Sequence, residues 1–325
     1  MSFSPDIPPA YRALYDAAGP VVRFRLVRDV LDRDESYLQT AHLALDLPRL
    51  PETEAIITAQ ELDGSWNGLL CSTENCVATE TAVLRLCELG LEEHDSIRAC
   101  VEKALVPTLL GEDILWEFSR AADDDNLRPM ARRIVRDKTL RLLTRATRSL
   151  DEMLRPVMEA LLIEGEHFLA YPHAQDQLPP TADGYAALCW YKWSDDDFLR
   201  VRKFIKRLFK HAEDVMGHSL RTPEFYAPHV FQLSDKWEYL SRPPLFFHEL
   251  ELAARLGAAR DLAVTKWLIE ELEFRQDADG RFRFESAEPV EDSWYYPLDR
   301  KSPRDDSLEW TFRAALLYKL LEYDL

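Results

Sequence analysis

Gln60-Glu61-Leu62-Asp63-Gly64-Ser65-Trp66 and, much later in the chain, Gln276-Asp277-Ala278-Asp279-Gly280-Arg281-Phe282 are two copies of one phrase, Q-x-x-D-G-x-[WF]. Each copy lies between stretches with helical periodicity. Asp-Gly is turn chemistry, because glycine accepts the positive φ a tight turn requires and aspartate hydrogen-bonds its own backbone. A turn phrase that recurs between helices within one chain of 325 residues predicts repeated helical hairpins.

The rest of the chain reads the same way. Val22, Leu26, Val30 and Leu31 fall on one face of a helix. Further helical stretches are expected at 37–46, 52–61, 76–90, 95–109, 128–145, 149–163, 181–193, 196–215, 245–256, 260–274 and 307–322. Breaks are expected at proline and glycine positions such as Pro48, Gly64, Gly90, Pro107, Gly111, Pro172, Gly257 and Gly280. No period-two alternation runs beyond a few residues, so the fold class is all-α.

Apolar, small-residue helices (79–91, 181–190, 245–256, 308–321) alternate with charged ones (130–147, 198–213). That alternation fits an inner ring of helices enclosed by an outer ring, with about five or six hairpins in all. No linker rich in Gly, Ser or charge interrupts the chain. The expectation is one domain over residues 1–325, with residues 1–50 packing on the barrel or beginning it.

Composition bounds the function. A net charge of −18 argues against a nucleic-acid partner, since phosphate binding needs a basic surface. No apolar run reaches the roughly 18 residues of a membrane span. The N-terminus lacks the basic-then-apolar pattern of a signal peptide, and the five cysteines form no even framework. The expected setting is therefore cytoplasmic, with reduced thiols. Only 10 glycines are present, and neither G-x-G-x-x-G nor a P-loop occurs. No cofactor is implied.

The Q-x-x-D-G-x-W phrase followed by an apolar helix resembles the QW repeat of squalene–hopene and oxidosqualene cyclases, and is similar to the β subunits of protein prenyltransferases. The resemblance implies an α/α toroid, two concentric rings of helices around a central cavity. It also implies a structural role, stapling an outer helix to an inner one, for Gln60, Gly64 and Trp66 and for Gln276, Gly280 and Phe282. The chemistry of those families departs from this sequence. Class II cyclases protonate an alkene with a D-x-D-D-T-A acid. The similar stretch here is Val77-Ala78-Thr79-Glu80-Thr81-Ala82, with Thr79 at the central position. The D-x-C zinc pair of the prenyltransferases is absent. Cys71 and Cys76, with His167 or His173, are wider than the usual metal spacing and read as ordinary thiols. The run Arg132, Arg133, Arg136 and Lys138 reads as a solvated face.

Acids recur at the starts of the apolar helices: Glu80, Asp183 and Glu309, with His248 similarly placed. Helix N-termini stabilise carboxylates, which accounts for such acids as caps. The functional expectation is that Glu80, Asp183, His248 and Glu309 converge on one apolar pocket as general acids or bases with raised pKa values. Trp294, Tyr295 and Tyr296, followed by Asp299, Asp305 and Asp306, read as a lid or stacking platform, and His173 as part of the cavity mouth. Three functions are compatible with these features. The first is a protein that binds or converts an apolar, isoprenoid-like molecule. The second is a carbohydrate-active barrel using paired carboxylates. The third is a non-catalytic helical scaffold. Whether the chain is a cyclase, a transferase, a lyase or no enzyme is left open.

Overall fold

The computed structural model describes residues 7–34, 37–71, 77–111, 128–147, 151–171, 181–215, 243–260, 262–284, 297–299 and 307–322. Among them the secondary structure is helical; the β-type pairing present is an isolated bridge between Gln276 and Phe282. The chain divides into two compact units. One comprises 1–54, 88–91 and 235–325; the other comprises 55–87 and 92–234.

In the first unit, α1 (Pro9–Ala17) and α2 (Pro20–Arg25) both begin at proline, whose fixed φ and missing N–H suit the first helical position. The sequence pattern does not predict α1. The helix is only nine residues long and opens at the second of two consecutive prolines, a pairing that reads locally as a break. A π turn at Leu26–Val30 continues α2. The unit is completed by α3 (Leu38–Asp46), the first half of α4 (Pro51–Thr58), α12 (Pro243–Arg255), α13 (Ala263–Arg275) and α14 (Ser307–Leu320). Helix α14 is its core: it packs against α1, α12 and the π turn, and Trp310, Phe312 and Ala314 to Tyr318 are all buried. Phe247 of α12 stacks on Trp310, with ring centroids 5.9 Å apart and planes 9° from parallel, one of the arrangements aromatic pairs prefer.

In the second unit lie α5 (Thr79–Glu88, its last residue in the other unit), α6 (Asp95–Cys100), α7 (Val106–Leu109), α8 (Arg128–Ala146), α9 (Asp151–Ala170), α10 (Ala182–Trp190) and α11 (Asp195–Val215). The sequence predicts a break at Pro107. Instead a π turn at Val101–Leu105 carries α6 into α7, and the helix runs through the proline to end before Gly111 at φ +87°. Proline at 107 removes the N–H that would bond back into that turn, and a π turn already displaces that ladder. Helix α8 packs along α10 and also meets α7, while α9 packs against α10 and α11.

The basic helix α8 departs from its expected solvated character. Arg132 is exposed, but Asp137, Thr139, Leu140, Leu142 and Leu143 are fully buried. Arg145 donates to Cys87 O at 2.8 Å and pairs with Glu92 at 2.7 Å. Its guanidinium also lies 4.4 Å from the Trp190 ring centroid, within cation–π range. Arg136, Lys138, Arg141 and Arg145 are covered because neighbouring segments bring carboxylates to them.

Candidate functional site

The two copies of the opening phrase fold into the same turn. In the first, Glu61 N donates to Ser65 O at 2.9 Å, Gln60 Nε2 donates to Gly64 O at 2.9 Å, and Gly64 takes φ +83°. In the second, Asp277 N donates to Arg281 O at 2.8 Å, Gln276 Nε2 donates to Gly280 O at 3.3 Å, and Gly280 takes φ +76°. In both, the aromatic is buried and its backbone N–H donates to a threonine hydroxyl near the start of the next helix. Trp66 N bonds Thr79 Oγ1 at 3.1 Å, and Phe282 N bonds Thr311 Oγ1 at 3.1 Å. Trp66 adds a bond from Nε1 to Ile56 O at 2.8 Å. Thr79, which stands where the resembled cyclases carry their central acid, therefore holds the turn to α5.

Glu80 and Asp183 occupy the first turns of α5 and α10, and the structure brings them together on α8. Lys138 Nζ lies 2.8 Å from Glu80 Oε1 and 3.3 Å from Asp183 Oδ2. One turn further along the same helix face, Arg141 Nη1 lies 2.6 Å from Asp183 Oδ1 and 3.9 Å from Glu80 Oε1. These four side chains are 15–17% exposed. Beneath them Thr181, the N-cap of α10, accepts from Gly184 N at 2.9 Å and donates to Asp137 Oδ2 at 2.6 Å, as a capping threonine does. Arg136 also donates to Asp137, at 2.9 Å, and reaches Glu164 at 2.6 and 2.8 Å.

The electrostatics run against the expected raised pKa at Asp183. Burial alone pushes its carboxyl up, but Arg141 and Lys138 outweigh that and hold it below the ordinary carboxylate value. Burial likewise opposes the Lys138 ammonium, and Asp183 and Glu80 more than compensate, leaving its pKa raised. Asp137 goes the other way: burial dominates its two arginines and Thr181, and its pKa is raised. The surroundings of Glu80 and Asp183 are cationic rather than apolar. Sequence reasoning misses Lys138, Arg141 and Asp137 as partners, although cations spaced three apart on one helix are a readable signal.

Glu309 and His248 belong to the first unit, on the packed helices α14 and α12. Glu309 Oε1 accepts from Arg313 at 2.9 Å, and Oε2 accepts from Leu298 N at 2.8 Å. Arg313 lies 3.3 Å from Glu88, which accepts from Arg25 Nη1 at 2.6 Å; Arg25 in turn reaches Asp29 at 2.8 Å. Burial penalises the Asp29 charge, yet Arg28 and Arg25 hold its pKa far below the usual range. His248 is buried one helical turn before Glu251, which pairs with Arg255. Asp299 is a helix cap: its carboxylate accepts from Val21 N at 3.0 Å and Val22 N at 3.2 Å, where the positive end of α2 favours an anion. Trp294, Tyr295, Tyr296, Asp305, Asp306 and His173 lie outside the described residues.

Among the described residues no group of three or more His, Cys, Asp or Glu side chains is arranged to hold a metal; Cys76 lies outside them. No described helix is long and apolar enough to cross a membrane. The first unit contains a pocket of about 190 Å³ formed by α1, the second turn and α14. No family model, curated protein or solved structure matches the chain.

Proposed function

We propose that this chain is a binding protein of the α/α-toroid kind that holds a small apolar, isoprenoid-like molecule without converting it. The pairing of Glu80 and Asp183 with Lys138 and Arg141 carries the non-catalytic half of the reading; the ligand class follows from the resemblance of the two turn phrases to the QW repeat. Alkene protonation needs a carboxylic acid that keeps its proton in a dry site and gives it up to carbon. Asp183 is held ionised by two cations, and Glu80 pairs with the same lysine. Glycoside hydrolysis is disfavoured for a related reason. It needs one protonated carboxyl opposite a second, with a sugar between them, and here Lys138 stands between the two. Glu309, salt-bridged to Arg313 and accepting from Leu298 N, acts as an organiser of its helix end. The paired turns support the toroid, since each staples one helix to the next by the same hydrogen bonds.

Native mass spectrometry of the purified chain tests the binding half. A retained apolar molecule of small mass is expected, and its extraction should leave a folded protein that takes the molecule back. Incubation with squalene or farnesyl diphosphate, followed by product analysis, tests the absence of turnover. Formation of a cyclised or transferred product that disappears in Glu80→Gln would sink the proposal.

A further inference from the structure

Two helices of the second unit are rich in cations, and they differ in what answers the charge. On α8, carboxylates from neighbouring segments cover Arg136, Lys138, Arg141 and Arg145. On α11, the stretch Leu199-Arg200-Val201-Arg202-Lys203-Phe204-Ile205-Lys206-Arg207-Leu208-Phe209-Lys210 holds six cations and no acid, in a chain of net charge −18. Its apolar residues Val201, Phe204, Ile205 and Leu208 are buried, and the helix packs against α9. That packing leaves Leu199, Lys203, Arg207 and Lys210 exposed, with Lys206 half-buried among them. Residues three and four apart are neighbours on a helix, so these five side chains form one continuous face.

The acids of α9 are already engaged. Glu159 pairs with Arg155 at 3.2 Å, Glu164 with Arg136 at 2.6 Å and Glu166 with Arg200 at 2.5 Å. Lys203, Arg207 and Lys210 make no ion pair among the described residues. Asp195 and Asp196 precede the basic stretch on α11, and Glu213 and Asp214 follow it in sequence. The uncompensated face is therefore the middle of the helix, ~17 Å long at 1.5 Å per residue.

We propose that this face of α11 is a docking surface for a bilayer containing anionic phospholipid. Clustered lysine and arginine on an amphipathic helix are attracted to the diffuse negative charge of such a surface. Half of the six cations are lysines, flexible point charges that impose no bidentate geometry. They suit a fluid array of headgroups better than one fixed partner. Leu199, 65% exposed, adds an apolar contact at one end of the face. The overall negative charge of the chain opposes approach only weakly, because charges further than ~8 Å from the bilayer are screened at physiological ionic strength. At contact, the cations nearest the headgroups decide. Duplex nucleic acid is the poorer fit, since it demands a basic surface broader than one helix face in a protein of net charge −18.

Co-sedimentation of the full chain with vesicles tests the surface. Vesicles of phosphatidylcholine with about 30% phosphatidylserine should carry the protein down, and phosphatidylcholine alone should not. Raising the salt to about 0.5 M should abolish the binding. Lys203→Gln combined with Arg207→Gln should weaken it at least tenfold, at roughly fivefold per cation, with an unchanged circular dichroism spectrum. Arg49→Gln combined with Lys266→Gln alters the net charge equally at exposed positions of the first unit. That pair should leave vesicle binding within about twofold of the unmodified chain. Sedimentation that ignores phosphatidylserine, survives high salt or falls equally in both pairs overturns the proposal, as does tighter binding to duplex DNA than to the anionic vesicles.

Discussion

Lys138 bridges the beginnings of two helices: its Nζ lies 2.8 Å from Glu80 in the first turn of α5 and 3.3 Å from Asp183 in the first turn of α10. Each carboxylate already enjoys the positive end of its own helix, and the lysine ties both ends to α8. The contacts are long-range: Lys138 and Glu80 are 58 residues apart in sequence, and Arg141 and Asp183 are 42.

Removing the lysine leaves two carboxylates facing each other across a space with reduced access to water. Lys138→Met should therefore destabilise the second unit by about 3 kcal/mol, the order found when one partner of a covered ion pair is deleted. Adding Glu80→Gln should recover part of that loss. Urea denaturation in a double-mutant cycle measures the coupling, and a cycle energy near zero would show the contact to be energetically idle.

Acid should weaken the protein through Asp183 and Asp29. Burial opposes both charges, but Arg141 with Lys138, and Arg28 with Arg25, hold the two folded-state pKa values below the unfolded one. A depressed carboxylate contributes stability that is fully present above the unfolded value of ~3.9 and is lost as pH falls through the folded value. Asp137, with its raised pKa, works the other way and offsets part of the loss as it takes up its proton, so the urea midpoint should fall below about pH 4, where unfolding lets Asp183 and Asp29 take up protons. Asp183→Asn should be less stable at neutral pH and show a shallower acid decline. An unchanged slope in Asp183→Asn would contradict this account.

The two turn glycines should respond unequally. Both take positive φ, so alanine at either costs on the order of 1–2 kcal/mol in backbone strain. Gly64→Ala adds a clash with Ala99 O, a backbone atom that cannot yield cheaply, whereas Gly280→Ala meets only a flexible amide. Thermal melts should show Gly64→Ala the more damaging by at least about 1 kcal/mol.

Trp66 separates packing from hydrogen bonding. It is 1% exposed and donates to Ile56 O. Trp66→Ala should cost about 3–5 kcal/mol through the cavity it leaves. Trp66→Phe keeps most of the ring but strands the carbonyl of Ile56, at about 1–3 kcal/mol. Chemical denaturation of the two variants gives the split directly.

Helix positions are largely legible because amphipathic periodicity is a local signal. The pattern predicts a helix over 128–145, and α8 runs Arg128–Ala146; it predicts another over 245–256, and α12 runs Pro243–Arg255. The exception, α1, starts at consecutive prolines, which read locally as a break, and spans only nine residues. Helix α9 illustrates a milder failure, running to Ala170 with Pro156 inside it, beyond the expected end at 163. The acids at helix starts are also legible, as is the shared placement of Glu80 and Asp183. Their partners are not, because a salt bridge between distant segments leaves no trace in either local stretch. Arg136 and Lys138 read as solvated charges, and only the packing of α5, α9 and α10 on α8 supplies the carboxylates that cover them.

The turns at Gln60–Trp66 and Gln276–Phe282 are written into the sequence, since aspartate, positive-φ glycine and a buried aromatic each act within a few residues of one another. Their different fates are decided by tertiary structure alone. Helix α6 seats its Ser96 carbonyl on Gln60 and its Ala99 carbonyl on Gly64, while Gln276 and Gly280 face a pocket. Local chemistry sets what a turn can offer; which chain segment accepts the offer depends on packing between residues distant in sequence.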